Sequence, residues 1–133
     1  MENKMQLIGS LFVLLSVVLG ALASHTLESI LEVSALRSFE VGVRYMLYHG
    51  LALLILSFLK YPNTTFQKSV FYLICIGTIL FSGSIFILSF KNLLPFSISL
   101  IGPITPVGGT LLIIAWAVNI QALLRKKNSQ TSN

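Results

Sequence analysis

The sequence predicts an all-α membrane protein, in which four transmembrane helices form a single bundle. Composition is the first observation: of 133 residues, 55% are hydrophobic and only 10% are charged, and the mean hydropathy is +0.88. A soluble domain carries about 25% charged residues because its surface faces water. Length is the second observation, since four apolar runs each approach the roughly 20 residues that cross a hydrocarbon core. These values exclude an ordinary soluble enzyme and a disordered chain, and a single cysteine excludes a disulfide scaffold.

The apolar runs are expected to be helices, because a backbone in hydrocarbon must satisfy its own hydrogen bonds. A barrel would need more strands than this length allows, and barrel strands alternate apolar and polar residues. The predicted spans cover residues 7–23, 41–59, 69–90 and 105–124, within one domain over residues 1–127. The polar residues 128–133 are predicted to form a disordered tail.

The first run extends from Leu7 to Ala23 and carries small residues such as Ser16 and Gly20. Ala21-Leu22-Ala23 before Ser24 also fits the A-x-A cleavage site of a signal peptide. The run is longer than the apolar core of about 7–15 residues that signal peptides use, and three further runs follow. A retained span is therefore the favoured interpretation, which an intact-mass measurement would test.

Between the first two spans, the apolar residues Leu27 and Ile30 share one helical face and Glu28 and Glu32 another. This spacing predicts a short interfacial helix or an extension of the second helix, for which Ser34 is the expected N-cap.

Polar residues on the second helix lie four apart, a spacing that puts side chains one turn above each other. Glu40 and Arg44 form one such pair, whose face Tyr48 continues, and Tyr45 and His49 form the other.

The third run, Ser69 to Phe90, contains no charge but carries a stripe of small residues with an expected kink at Ser82-Gly83. Prolines and glycines over residues 101–109 predict an irregular elbow before the fourth helix. Thr105 suits a cap there and Pro106 the first helical turn.

Ionisable side chains inside a span are costly, so they are functional-site candidates by default. We expect a group of residues in the outer half of the bundle either to stabilise helix packing or to bind a ligand. These candidates are His25, Glu40, Arg44, Tyr45, Tyr48, His49, Ser82, Gly83, Thr105 and Pro106. Two histidines are too few for a metal site. No metal, cofactor or catalytic residue is predicted, because no catalytic or nucleotide-binding motif is present.

Basic residues predict the topology, since Lys and Arg accumulate on the cytoplasmic side. With both termini in the cytoplasm, six of them lie inside and three, Arg37, Arg44 and Lys91, lie outside. We therefore expect a multi-pass protein of the cell (inner) membrane with both termini cytoplasmic. The bilayer is its expected partner, and no basic patch outside the membrane suggests nucleic-acid binding.

Three stretches and the elbow resemble the YgdD/YwdK-like family of small bacterial membrane proteins, a domain of unknown function. They are Gly20–His25, Tyr45–Ala52, Leu80–Ser84 and Ile104–Gly109. The resemblance covers about Gly9 to Leu124. It places His25, Tyr45, His49, Ser82, Gly83, Thr105, Pro106, Gly108 and Gly109 on motif positions, while Ser24 stands where the family commonly has Ala. It implies a four-helix inner-membrane protein and no established activity.

The expected function is non-enzymatic: a structural or accessory role in the integrity of the membrane or of a complex. Small-residue helix faces would serve a homo-oligomer or a membrane partner. The alternative is a small transporter or channel subunit, in which His49 and Arg44 handle protons or an anion.

Overall fold

The computed structural model describes residues 1–95 and 97–131, with side chains up to residue 127 in the last helix. Four long helices make up the fold: α1 (Glu2–His25), α2 (Val33–Leu56), α3 (Thr64–Ser89) and α4 (Ile104–Thr131). All four are long and apolar enough to cross a membrane, and the described residues contain no strand. The predicted all-α fold of four membrane-spanning helices is confirmed.

The connection between α1 and α2 is shorter than the sequence suggests. A single 3₁₀ turn, Leu27–Ser29, follows α1, and α2 then begins at Val33 rather than near residue 41. Residues 33–40, ahead of the predicted span, therefore extend α2, whereas Leu27, Glu28, Ile30 and Glu32 precede the helix. The predicted Ser34 cap is wrong, because the N-cap is Glu32, whose side chain makes no capping hydrogen bond. Leu31, the residue before it, is buried.

The other connections fall close to their predicted positions. After α2 the chain turns at Tyr61-Pro62, and Asn63 caps α3 by accepting a 3.0 Å bond from the Phe66 N–H. The α3–α4 connection contains two 3₁₀ turns, Lys91–Leu93 and Ser99–Ile101.

Around the elbow, Pro106 lies in the first turn of α4, as predicted. Thr105 is the second residue of the helix and not its cap. Its hydroxyl lies 2.6 Å from that of Ser84 on α3. The helix begins at Ile104, two residues before the Pro106 start that a Thr105 cap would require.

Two further predictions concern helix continuity. α3 runs without interruption through Ser82-Gly83. α4 continues to Thr131, into the tail predicted to be disordered, and residues 132–133 lie outside the described residues.

The helices are arranged as a row in chain order. α1 packs against α2, α2 against α3, and α3 against α4, whereas α1 and α4 make no extensive contact within the described residues. We call the end of the row that carries the α1–α2 and α3–α4 connections the two-loop end. The opposite end, with both chain termini and the α2–α3 connection, is the termini end.

The core lies along the middle of this row and draws on all four helices. Met5, Leu53, Val70, Ile74 and Ala115 are fully buried there. The outward faces of α1 and α4 instead expose large aliphatic side chains, including Leu7, Leu14, Val17, Ile113, Ile120 and Leu124. An apolar surface of this extent is unfavourable in water and suits the hydrocarbon of a bilayer.

Candidate functional site

Glycines bring the helices into close contact at two crossings. A Cβ on Gly9 of α1 would lie 2.8 Å from the carbonyl oxygen of Gly50 on α2. A Cβ on Gly108 of α4 would collide with the backbone nitrogen of Phe81 on α3 and lie 2.9 Å from the carbonyl oxygen of Gly77. Close approach of this kind is how helices associate in lipid. The crossings fix the positions of the polar side chains described next.

His49 is the most buried ionisable candidate, with 7% of its surface exposed. Its Nδ1 lies 2.8 Å from the Tyr45 carbonyl oxygen on the preceding turn. Because that oxygen only accepts, Nδ1 must carry the hydrogen. Nε2 is then free to accept the bond that Trp116 Nε1 donates from α4 at 3.4 Å. The geometry therefore assigns a neutral ring that links α2 to α4.

Aromatic rings surround this link. The Tyr45 ring stacks beside His49 at 6.1 Å between centroids and contacts Phe81 of α3 at 4.6 Å. Tyr48, at 6.2 Å from Tyr45, extends the set toward the surface. The predicted Tyr45–His49 pair is confirmed as a contact, and it joins α2, α3 and α4.

A groove of about 480 Å³ lies beside the His49–Trp116 link, between α2 and α4. Apart from Tyr45, His49 and Trp116, its lining is aliphatic. Ile113 and Ile120 on this lining are largely exposed. In a membrane, lipid chains would therefore border the groove.

The Glu40–Arg44 pair forms as predicted, but away from the groove. Its charged atoms are 4.0 Å apart, and both side chains are about half exposed. Arg44 and His49 are five residues apart, which places them about 140° apart around the helix. The two residues that the sequence combined for proton or anion handling therefore point in different directions.

The remaining candidates are dispersed. His25 is exposed at the end of α1, and no described hydrogen bond joins it to the others. Ser82 is fully buried, and its hydroxyl, like that of Thr78 one turn earlier, has no hydrogen-bond partner among the described residues. A Cβ on Gly83 would meet no atom within 4 Å. Pro106 contributes its carbonyl oxygen, which accepts a bond from the Thr110 hydroxyl.

Sequence reasoning missed Trp116, the partner of His49. It is the only tryptophan of the chain, and it lies in the middle of α4 rather than at a helix end, where membrane interfaces favour tryptophan. An indole N–H at the depth of the hydrocarbon needs a hydrogen-bond acceptor from the protein, because lipid chains offer none. That requirement was the available signal, with His49 as an acceptor of suitable chemistry.

No metal centre forms in the part of the chain that the structure describes, since no three His, Cys, Asp or Glu side chains come together there. The polar groups instead form pairs between helices. Besides His49–Trp116, Gln6–Ser57 joins α1 to the end of α2 and Ser84–Thr105 joins α3 to α4. From the α2–α3 connection, the Tyr61 hydroxyl donates to Asn119 Oδ1 of α4 at 2.8 Å.

Comparison with known proteins identifies a matching family. A family model described as "Protein of unknown function (DUF423)" matches residues 19–109. The UPF0382 membrane protein YwdK of Bacillus subtilis is 36% identical over 121 residues, which cover 90% of this chain and 94% of that protein.

Two further bacterial relatives are similar over most of their length. A UPF0382 membrane protein of Haemophilus influenzae is 35% identical over 87% of this chain and 90% of its own length. The inner membrane protein YgdD of Escherichia coli is 29% identical over 88% of this chain and 86% of its own. No solved structure matches the chain. With four membrane-spanning helices and these relatives, the chain belongs to the DUF423 family of membrane proteins of unknown function.

Proposed function

We propose that this protein has a structural or accessory role in its membrane, as a compact helical element that supports the bilayer or a complex within it, and that it is not an enzyme. The observation that carries the proposal is the state of His49. Both of its ring nitrogens are engaged by protein groups, one on α2 and one on α4. The side chain best suited to proton chemistry thus acts as a link between helices.

The expected orientation places both termini in the cytoplasm of the cell membrane. The termini end carries Lys4, Lys60, Lys68, Arg125, Lys126 and Lys127, whereas Arg37, Arg44 and Lys91 lie toward the two-loop end. The positive-inside rule favours this orientation. The name of the Escherichia coli relative, an inner membrane protein, agrees with the compartment.

An accessory role requires a surface for association, and the row of helices offers two. The outward faces of α1 and α4 are covered neither by each other nor by the remaining helices, and both are aliphatic. Either face could pack against a second copy or against another membrane protein, with lipid covering whatever remains exposed.

One observation favours the alternative, a small proton-handling transporter. The bond from Trp116 to His49 is long, at 3.4 Å, and the ring borders the groove between α2 and α4. A weakly held Nε2 is a candidate proton acceptor. Arg44 would not share this site, because it faces another side of α2.

Proton flux separates the two functions. The purified chain in liposomes loaded with a pH-sensitive dye should pass no more protons than protein-free liposomes under an imposed gradient. His49→Gln and Trp116→Phe serve as matched variants, since each removes one side of the link. Flux in the wild type that His49→Gln abolishes would overturn the accessory role and establish the transporter.

Association gives the positive test. Extracted from native membranes in mild detergent, the protein should migrate as a defined oligomer or with a stoichiometric partner. Charged substitutions on the outward face of α1 or α4, such as Leu14→Lys or Leu124→Lys, should disrupt that species. Charge placed on exposed Ile55 of α2 is the control. A clean monomer without any partner would contradict the proposal.

A further inference from the structure

A second cavity, of about 480 Å³, lies at the two-loop end. It is bounded by the start of α2, the end of α3 and the first turn of α4, with the connection after α3 along one side. Its polar lining includes Glu32 and Ser34 from the α2 side and Lys91 and Asn92 from the α3 side. The proposed function makes no use of these residues.

The two charges in this cavity are opposite but do not neutralise each other. Glu32 and Lys91 both line it, yet no ion pair joins them in the described part of the chain. Glu32 does not cap α2 with its side chain either. A carboxylate and an ammonium that face one space without pairing leave room for a ligand that carries both complementary charges.

The neutral polar side chains that line the cavity are of two kinds: those that already donate a hydrogen bond and those that make none within the described residues. The hydroxyls of Ser38 and Ser89 are already engaged, as they donate to the carbonyl oxygens of Ser34 and Ile85. The side chains of Ser34 and Asn92 make no described hydrogen bond. Beside each charge there is therefore one neutral polar group free to bind a ligand: Ser34 near Glu32, and Asn92 next to Lys91 in sequence.

The floor of the cavity is apolar and belongs to a membrane-spanning helix. Ile85 and Leu88, in the last turns of α3, contribute it. The cavity thus lies where a span ends, at the depth of lipid headgroups, with a polar rim above hydrocarbon-like side chains. A water-soluble ligand has no need of such a floor, whereas a lipid does.

We propose that this cavity binds a zwitterionic phospholipid headgroup, with a primary ammonium held by Glu32 and a phosphate held by Lys91. Carboxylates accept the N–H bonds of a primary ammonium, and lysine is a common phosphate ligand. Phosphoethanolamine is the chemistry that these groups fit, and the lipid is its expected source. All residues of this site lie at the two-loop end, away from the His49–Trp116 link, so the proposal does not depend on the proposed function.

Calorimetric titration of the purified full chain in detergent micelles tests the site. Four ligands are compared: short-chain phosphatidylethanolamine, phosphatidylcholine, phosphatidylglycerol and free phosphoethanolamine. The ammonium of phosphatidylcholine has no N–H, and phosphatidylglycerol has no ammonium. We expect phosphatidylethanolamine to bind at least about tenfold more tightly than either other lipid, since a charge-assisted hydrogen bond is lost in each case. Glu32→Gln and Lys91→Gln should each weaken it about tenfold.

Glu28→Gln and Arg37→Gln are the matched controls, because they remove charges at the same end without lining the cavity. All four side chains are exposed, so the variants should fold. Equal binding of the three lipids, a preference for phosphatidylglycerol, or equal losses in site and control variants would overturn the proposal. Equal affinity for free phosphoethanolamine would keep the site and assign it to a soluble ligand.

Discussion

The α1–α2 and α3–α4 pairs are built on the same plan, yet they meet different atoms at their crossings. Opposite Gly9 and Gly50, the closest atoms include the side chains of Leu54 and Phe12 as well as backbone oxygens. Opposite Gly108, all three closest atoms belong to the backbone of α3, whereas Gly77 at the same crossing would meet the Leu112 side chain at 2.9 Å. A side chain adjusts to an intruding methyl group, whereas the backbone of a packed helix does not.

The hydrogen bonds within the two helix pairs also differ in length, and the bond between α3 and α4 is the shorter one. Gln6 Nε2 donates to Ser57 Oγ at 3.3 Å between the start of α1 and the end of α2. Ser84 and Thr105 join α3 and α4 at 2.6 Å. The comparison teaches that the cost of enlarging a glycine depends on the atoms opposite it, so we expect Gly108 to be the glycine that tolerates substitution least.

Gly108→Ala should have the largest effect, a loss of about 3 kcal/mol in the free energy of unfolding, at the upper end of what overpacking costs. The new methyl group would meet the Phe81 backbone. Equilibrium unfolding in mixed detergent micelles measures the loss. Gly109→Ala is the neighbouring control, since its nearest atom would be 3.6 Å away; equal losses in both variants would contradict this explanation.

Gly50→Ala should cost less, about 2 kcal/mol, because part of the overpacking can relax. A Cβ there would lie 2.9 Å from Phe12 Cβ, 3.0 Å from the Gly9 carbonyl oxygen and 3.1 Å from Val13 Cγ2. The same unfolding experiment applies, with Gly20→Ala, 3.7 Å from Val43 Cγ1, as control. A loss equal to that of Gly108→Ala would remove the difference between the pairs.

Tyr61→Phe extends the comparison to the termini end, with an expected loss of about 1 kcal/mol. The Tyr61 hydroxyl is the described partner of Asn119 Oδ1, and Asn119 is 5% exposed, so its amide oxygen would be left unpaired. Gln6→Leu removes the longer bond on the α1–α2 side and should cost about half as much. The reverse order would show that the α1–α2 contact is the stronger one.

Alkaline pH offers a second measurement on the same contact. Burial raises the pKa of the Tyr61 phenol above its ordinary 10.0. Above that value the unfolded chain loses the proton before the folded chain does. The contribution of Tyr61 is therefore complete below pH 10 and is lost as the pH rises through the folded pKa, so stability should fall less steeply in Tyr61→Phe than in the wild type.

Gly83→Ala should have the smallest effect and the opposite sign. No atom lies within 4 Å of the position that the new methyl group would take, and alanine favours a helix interior by up to about 1 kcal/mol over glycine. A slight gain in unfolding free energy is expected. A clear loss would show that this face of α3 is covered in the detergent-solubilised protein.

Much of the fold was predictable because hydropathy dominates in a chain of this kind. Four apolar runs yield four helices, and Pro62 and Pro106 mark where two connections lie. The start of α2 at Val33 was predictable only as one of two alternatives, because the amphipathic pattern before residue 41 fits a separate interfacial helix as well as an extension of α2. Ser34 and Thr105 were misplaced as caps because side-chain chemistry alone does not identify a cap: Glu32 precedes α2 without a capping hydrogen bond, and the Thr105 hydroxyl lies 2.6 Å from that of Ser84.

The candidate site was predictable only where its residues share a helix. Tyr45 and His49 are one turn apart, so their contact follows from helix geometry. Trp116 lies 67 residues further on, and the sequence does not state how α4 is rotated against α2. The same limit applies to the glycines: the small residues of the first and third runs are visible in the sequence, but nothing local pairs Gly9 with Gly50 or Gly77 with Gly108.

The row arrangement has a consequence for how the molecule is made. Because each helix packs chiefly on its neighbour in sequence, contacts are local and demand little loop closure. The α1–α2 hairpin is complete before α3 is synthesised, and each later helix finds its packing surface already in the bilayer. Assembly can therefore follow the order of translation. A substitution that disrupts the Gly108 crossing should leave a stable intermediate in which α1, α2 and α3 are packed and α4 is not.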